Sequence, residues 1–172
     1  MINDTLRKEL QTFIETNFRI TPIKILTIGS TVYHGLDGGI ASAGIGGVLQ
    51  DCQKYIQQKG ENTFSQTLFR YIDAKQMKDS DVYHRAQIDR KHFSKIRIDK
   101  NYRPSKNTVL RLAIALELDK QQVNDLLGSA GYALSNSIKS DLIVLFFLDK
   151  GIYDLDDINE TIYEMTSCTL IN

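Results

Sequence analysis

The sequence predicts a mainly α fold with three parts: a small N-terminal α/β unit containing a glycine-rich loop, a five-helix helix-turn-helix core, and a C-terminal helical extension. From residue 63 onward, helix-capping residues repeatedly precede apolar residues at helical spacing. Before residue 60, an alternating β-branched run and a cluster of glycines interrupt the helical pattern. We therefore expect three regions, at residues 1–60, 63–133 and 134–172.

The first region combines helical and strand patterns. Residues 1–20 are amphipathic at helical spacing, with Asn3 as a cap and no apolar segment of the signal-peptide type. Ile23–Ile28 alternates apolar and polar residues as a strand does, and Val48–Lys59 has a helical pattern. Seven of the eleven glycines lie between Gly29 and Gly47. This mixture predicts the small α/β unit.

The glycine-rich segment has two interpretations. Glycine lets backbone N–H groups approach an anion, so a loop between a strand and a helix can cradle a phosphate, although neither GxxxxGKS nor GxGxxG is present. A mobile loop or a site of close backbone packing is the other interpretation. His34 and Asp37 lie on this segment, and one histidine with one carboxylate can serve acid–base RNA cleavage. We expect a non-enzymatic protein without catalytic residues, and these two are the candidates if the unit cleaves RNA.

The helical core is predicted from its caps and its apolar stripes. Residues that cap helices stand at six positions: Thr63 (in a capping box), Asp79, Asp89, Ser105, Asp119 and Asp154. The last of these opens the second of two tail helices, expected at about 137–149 and 155–166. The residues expected to point inward are Leu68, Ile72, Val82, Ala86, Ile88, Phe93, Ile96, Leu112 and Leu116.

The stretch from Asp79 to Leu116 carries the strongest indication of function. A short capped helix, a three-residue turn, a basic helix, a Tyr-Arg-Pro-Ser break and an apolar helix follow one another. This is the helix-turn-helix plan, in which the basic helix enters a nucleic-acid groove. The residues expected to contact DNA or RNA are Arg90, Lys91, Ser94, Lys95, Arg97, Arg103 and Lys106.

The charge distribution agrees with a nucleic-acid ligand better than the net charge does. The formal net charge is zero. Residues 75–111 nevertheless contain eleven Lys/Arg and four Asp/Glu, a local charge of +7, whereas residues 135–172 contain two and seven, a local charge of −5. The acidic tail either repels nucleic acid from one face or binds a basic protein partner.

Other features exclude several classes of function. Cys52 and Cys168 lie far apart and outside any metal-ligand spacing, and His84 and His92 lack a third ligand, so we expect free thiols, no metal and no cofactor. The longest apolar stretch, Leu142–Leu148, is too short to span a membrane. We expect a cytoplasmic protein, and a homodimer. The tail helices either cap the five-helix core or make the dimer through the exposed remainder of this stretch.

The core resembles the lambda-repressor-like (Xre-type) five-helix DNA-binding domain. The resemblance rests on Pro-Ser before the fourth helix, on the run VLRLAIAL, and on the closing Asp-x-x-x-Val-x-x-Leu-Leu. This chain departs from that family at Ser80, where glutamine is common, and at Gln87, where the family has a turn glycine. From about residue 63 to 170 the chain also resembles a bacterial and phage domain found alone or appended to macro domains, on marks such as DVYHRAQIDRKHFSKIR and DLIVLFFLDKGIYDLDDINE.

These resemblances imply a regulator from a phage or mobile element that binds DNA or RNA through the third helix of the core. The alternative is a phage-encoded inhibitor or adaptor, resembling inhibitors of type II CRISPR effector nucleases, that acts on a host nuclease or its guide RNA. In that case the helical core is a scaffold, and the N-terminal unit or the acidic tail engages the host protein.

Overall fold

The computed structural model describes residues 4–18, 50–55, 62–99 and 101–171, and all regular structure in these ranges is helical. The chain forms two compact units, one from residues 1–20 together with 62–172 and the other from residues 21–61. Residues 50–55, the described part of the second unit, are helical. The eight helices described in the larger unit are α1 (Asp4–Asn17), α2 (Phe64–Ala74), α3 (Asp79–Arg85), α4 (Arg90–Ile98), α5 (Lys106–Ala115), α6 (Lys120–Ser129), α7 (Lys139–Asp149) and α8 (Leu155–Thr166).

The predicted N-terminal α/β unit is wrong. The described residues contain no strand, and α1 belongs to the same compact unit as the later helices, where it packs against α7. Leu10 and Ile14 of α1 are buried, and the ring of Phe13 lies 5.4 Å from that of Phe146. The apolar stripe of α1 therefore packs against the apolar helix α7, 120 residues and more along the chain, rather than against its neighbours in sequence.

Several predictions for the N-terminal region fall outside the described residues. These are the cap at Asn3, the strand at 23–28 and the glycine-rich segment at 29–47 with His34 and Asp37. The predicted helix at 48–59 agrees with the helical residues 50–55.

The predicted helix starts are confirmed with one exception. Side chains of Thr63, Asp89, Ser105, Asp119 and Asp154 each accept a hydrogen bond from a backbone N–H in the first turn that follows. At α3 the cap is Lys78, which makes no side-chain capping bond, and Asp79 is the first helical residue. An aspartate in the first turn still stabilises the helix, because its negative charge is attracted to the positive, N-terminal end of the helix dipole.

In the described ranges a non-glycine residue in the left-handed conformation ends four helices, and at three of them it shares one hydrogen-bond pattern. Gln76, Gln87 and Glu117 have φ angles of 53°, 51° and 50°. Each follows the last turn of its helix, and the next residue donates its N–H back to a carbonyl five positions earlier, as in Met77 to Ile72 at 3.2 Å. This is the Schellman motif, in which glycine is the usual residue at the left-handed position.

Helix α7 is the centre of the larger unit. It packs against α1, α6 and α8, and every residue from Leu142 to Leu148 is buried within the chain. The stretch therefore offers no exposed remainder for the homodimer contact that the sequence suggested. Although α7 is apolar, none of the helices in the described ranges is both long and apolar enough to cross a membrane.

Candidate nucleic-acid interface

The basic helix α4 follows α3 after a short connection. Helix α3 ends at Arg85, and the side chain of Asp89 caps α4 by accepting from the Lys91 N–H at 2.7 Å. The residues predicted to point inward are buried, including Val82 on α3 and Phe93 on α4. The apolar sides of both helices thus face the core, which leaves the polar side of α4 to solvent.

Five exposed residues form the outward surface of α4, which we call the α4 face: Arg90, Lys91, Ser94, Lys95 and Ile98. Their spacing of one, four, five and eight positions places them on one side of the helix. Within the described residues, the side chains of Arg90 and Lys91 make no ion pair and no hydrogen bond. Ile98 is 81% exposed, which is unusual for a large apolar side chain.

Lys95 differs from Arg90 and Lys91 because an aromatic ring holds it. Its ammonium lies 4.6 Å from the centre of the Tyr102 ring, and the Tyr102 hydroxyl is 3.1 Å from Nε2 of His92. Burial lowers the pKa of His92, and the positive charges of Arg111 and Lys95 lower it further. A lowered pKa favours the neutral ring, whose unprotonated nitrogen can accept a hydrogen bond from the Tyr102 hydroxyl.

Arg97 and Lys106, both predicted to contact nucleic acid, are paired inside the chain. Arg97 forms an ion pair with Asp79 at 2.5 Å, and its guanidinium lies 4.1 Å from the centre of the Phe69 ring. Lys106 donates to Asp141 at 2.5 Å, and Asp141 is 3% exposed. The contacts of Arg97 join α4 to α2 and α3, and that of Lys106 joins α5 to α7. Because both cations already have a carboxylate partner, they differ from the unpaired cations of the α4 face.

Arg103 lies in the connection between α4 and α5 and is exposed. Its guanidinium passes over Gly131, where an added Cβ would meet the nearest guanidinium nitrogen at 2.9 Å. Gly131 has φ of 77°, and this left-handed backbone conformation favours glycine, whereas the guanidinium is the flexible end of a side chain and can move aside. The arginine is placed at the C-terminal end of α6, whose carbonyl groups attract a cation.

Sequence reasoning missed Arg111, which holds the connection between α3 and α4. Its Nε donates to the carbonyl of Ala86 at 2.8 Å, and a second guanidinium nitrogen donates to the carbonyl of Gln87. The side chain is half-buried, and burial lowers its pKa. A single arginine within the apolar run of α5 was the available signal, since a charge among core positions needs fixed partners.

The connection is also held through the side chain of Gln87. Its amide nitrogen donates to Oδ1 of Asp156 on α8 at 2.7 Å. The resemblance to the lambda-repressor-like domain places a glycine here, and the left-handed φ of 51° explains that preference. At the other departure, Ser80 is half-buried at the start of α3, and its hydroxyl donates to Asp81 at 3.2 Å.

The chemistry of the α4 face is that of anion binding. Guanidinium, ammonium and hydroxyl groups donate to phosphate oxygens, and arginine also donates to the edge of a guanine base. Across the described ranges, no group of three or more His, Cys, Asp and Glu residues is placed to hold a metal ion. Comparisons with models of protein families, with curated proteins and with solved structures found no match.

Proposed function

We propose that this protein binds nucleic acid through the α4 face and acts as a non-enzymatic regulator. The observation that carries the proposal is the state of Arg90 and Lys91, which are exposed, adjacent, and without an acidic partner in the described part of the chain. Lys95 adds a third positive charge to the same side of the helix. The three cations lie within about one and a half turns and repel one another, and an anionic ligand relieves that repulsion.

The contrast with other basic residues supports this choice. Several other basic residues in the described ranges are paired with acids, as in Arg70 with Asp125 at 2.7 Å and Arg85 with Glu117 at 3.1 Å, although Lys8, Lys78 and Lys139 have no acidic partner there. On α4 itself, Arg97 points away from the α4 face and is paired with Asp79. The ion pair therefore neutralises Arg97, which is exposed on the flank of α4, and leaves the α4 face positive.

The dimensions of α4 also suit a groove. A helix with its side chains is about 10–12 Å across and the major groove of B-form DNA is about 12 Å wide, so α4, nine residues or roughly 13 Å long, can lie in the groove. Arg90 and Lys91 stand in the first turn, where the recognition helix of a helix-turn-helix protein contacts base edges and phosphates.

The test is a titration of wild type and two double variants with a mixed-sequence duplex DNA and with RNA of the same sequence. Arg90→Ala with Lys91→Ala removes two cations from the α4 face. Arg7→Ala with Lys8→Ala removes the same adjacent pair of residue types from α1, where both are exposed. Binding is followed by fluorescence anisotropy over a series of salt concentrations.

We expect the α4 double variant to bind more weakly and to lose about two units of the slope of log affinity against log salt, since each phosphate contact contributes about 0.9. The α1 double variant should bind as wild type does. Equal affinities and slopes for the two double variants would contradict the α4 face as the site. A wild-type protein that binds neither probe at low salt would contradict nucleic-acid binding altogether.

A further inference from the structure

Gln87 has a left-handed backbone conformation, which is unfavourable for a residue other than glycine, and its side chain makes a hydrogen bond to another helix. Left-handed φ angles crowd the Cβ of any residue other than glycine. Gln76 and Gln87 are the same residue type in the same place of the same motif, with φ of 53° and 51°. Only Gln87 of these two has a side-chain hydrogen bond within the described residues, the 2.7 Å bond to Asp156.

Two elements outside the α3–α4 pair therefore hold this connection. Arg111 of α5 holds the backbone carbonyls of Ala86 and Gln87, and Asp156 of α8 holds the Gln87 side chain. The connection sets the direction in which α4 leaves. Lys95 lies roughly 7.5 Å along α4 from Arg90, so a tilt of 10° about the connection moves Lys95 by roughly 1.3 Å, whereas Arg90 and Lys91 at the near end move much less. A shift of that size is larger than the tolerance of a hydrogen bond to a base or phosphate.

We propose that Gln87 is a positioning residue, and that its bond to Asp156 lets the C-terminal helix α8 fix the orientation in which α4 is offered to nucleic acid. This inference rests on the proposed function. It assigns a role in binding to the C-terminal extension, which does not contribute to the α4 face. It also explains a glutamine where a glycine would suit the backbone better, because glycine cannot reach α8.

Gln87 could instead contact nucleic acid directly, and Asp156 separates the two roles. If Gln87 were a ligand contact, Asp156→Ala would free its amide and affinity would hold or rise. If Gln87 positions α4, Asp156→Ala removes the hydrogen bond that holds Gln87 to α8, and the affinity for nucleic acid falls. Asp156→Asn is the matched control, because it loses the same negative charge and keeps an oxygen that accepts from Gln87.

The main experiment compares Gln87→Gly with Gln76→Gly in the full chain, by thermal unfolding and by anisotropy with the mixed-sequence duplex. Both variants relieve the left-handed strain, so the melting temperature of Gln76→Gly should rise by about 2–4 °C, and that of Gln87→Gly by less because it also loses a hydrogen bond. Gln76→Gly should bind as wild type does. Gln87→Gly should bind about fivefold more weakly, as expected if α4 holds its binding pose for about a fifth of the time.

The result that supports positioning is a Gln87→Gly variant that loses affinity while its melting temperature stays at or above that of wild type. A purely structural role would lower the affinity and the melting temperature together. Affinity of Asp156→Ala below that of Asp156→Asn supports it independently. Wild-type affinity in Gln87→Gly overturns the inference and leaves the proposed function intact. Absence of binding by the wild type overturns both.

Discussion

Replacing Lys106 with methionine tests the ion pair that joins α5 to α7. Asp141 is buried, and its Oδ2 accepts from the Lys106 ammonium at 2.5 Å and from the Ser135 N–H at 2.8 Å. Methionine keeps most of the apolar stem and removes the charge. The carboxylate is then left in the core with one backbone N–H as its partner.

The size of the effect follows from the exposure of the two side chains. Removing one partner of a fully buried pair costs about 3–5 kcal/mol. The Asp141 side chain is 5% exposed but that of Lys106 is 23% exposed, so water reaches one side of the pair. We therefore expect Lys106→Met to lower the free energy of unfolding by about 2–3 kcal/mol.

The double variant Lys106→Met with Asp141→Asn should recover most of that loss. Asparagine removes the unpaired charge and retains an oxygen that accepts from the Ser135 N–H. Urea unfolding followed by circular dichroism measures all four proteins of the cycle. The ion pair contributes no such stability if the free energy of unfolding of Lys106→Met lies within about 0.5 kcal/mol of wild type, the range of neutral surface changes. The same conclusion follows if the double variant is no more stable than Lys106→Met.

Three further changes probe other parts of the structure. Arg111→Lys keeps the charge, but lysine cannot donate to the carbonyls of Ala86 and Gln87 at once. Urea unfolding should therefore show a free energy of unfolding lower by about 1.5–3 kcal/mol. An unchanged midpoint would show that these two hydrogen bonds do not stabilise the fold. The lowered pKa of His92 means that the folded state binds its proton less readily than the unfolded chain, so wild-type stability should fall as the pH drops below about 6.5 and level off below the folded pKa. In His92→Gln that part of the pH dependence should be missing, and a wild-type slope in the variant would exclude this histidine. Leu10→Ala should cost about 2–4 kcal/mol and speed amide exchange in α7, whereas unchanged exchange there would show that α1 is not part of the same core.

The helical core could be predicted from sequence because its signals are local. A cap such as Ser105 acts on the backbone within its own first turn, and the stripe containing Leu112 and Leu116 marks one side of its own helix. The residues predicted to face inward are all buried for this reason. The cap of α3 was predicted at Asp79, one position after the observed cap at Lys78, because an aspartate is favourable both at the cap and in the first turn.

The partners of α1 and of the charged side chains could not be predicted, because they depend on contacts between distant residues. The stripe on α1 shows that it packs against something, but its spacing contains no information about α7. Likewise the sequence shows that Lys106 and Arg97 are basic, and only the fold brings Asp141 and Asp79 to them. The outward position of Arg90 and Lys91 was predictable, since it follows from the inward position of Phe93 and Ile96 on the same helix.

The packing of α1 on α7 has a consequence for how the chain folds during synthesis. Glu9 of α1 and Lys150, just after α7, form an ion pair although they are 141 residues apart in sequence. At the usual rate of about 5–20 residues per second, α1 leaves the ribosome roughly 7–28 s before its partner is made. Its apolar side is uncovered throughout that interval and is open to chaperones or to other nascent chains. Helix α1, although synthesised long before α7, is thus among the last helices to reach its native contacts, and a long-range closure of this kind slows folding.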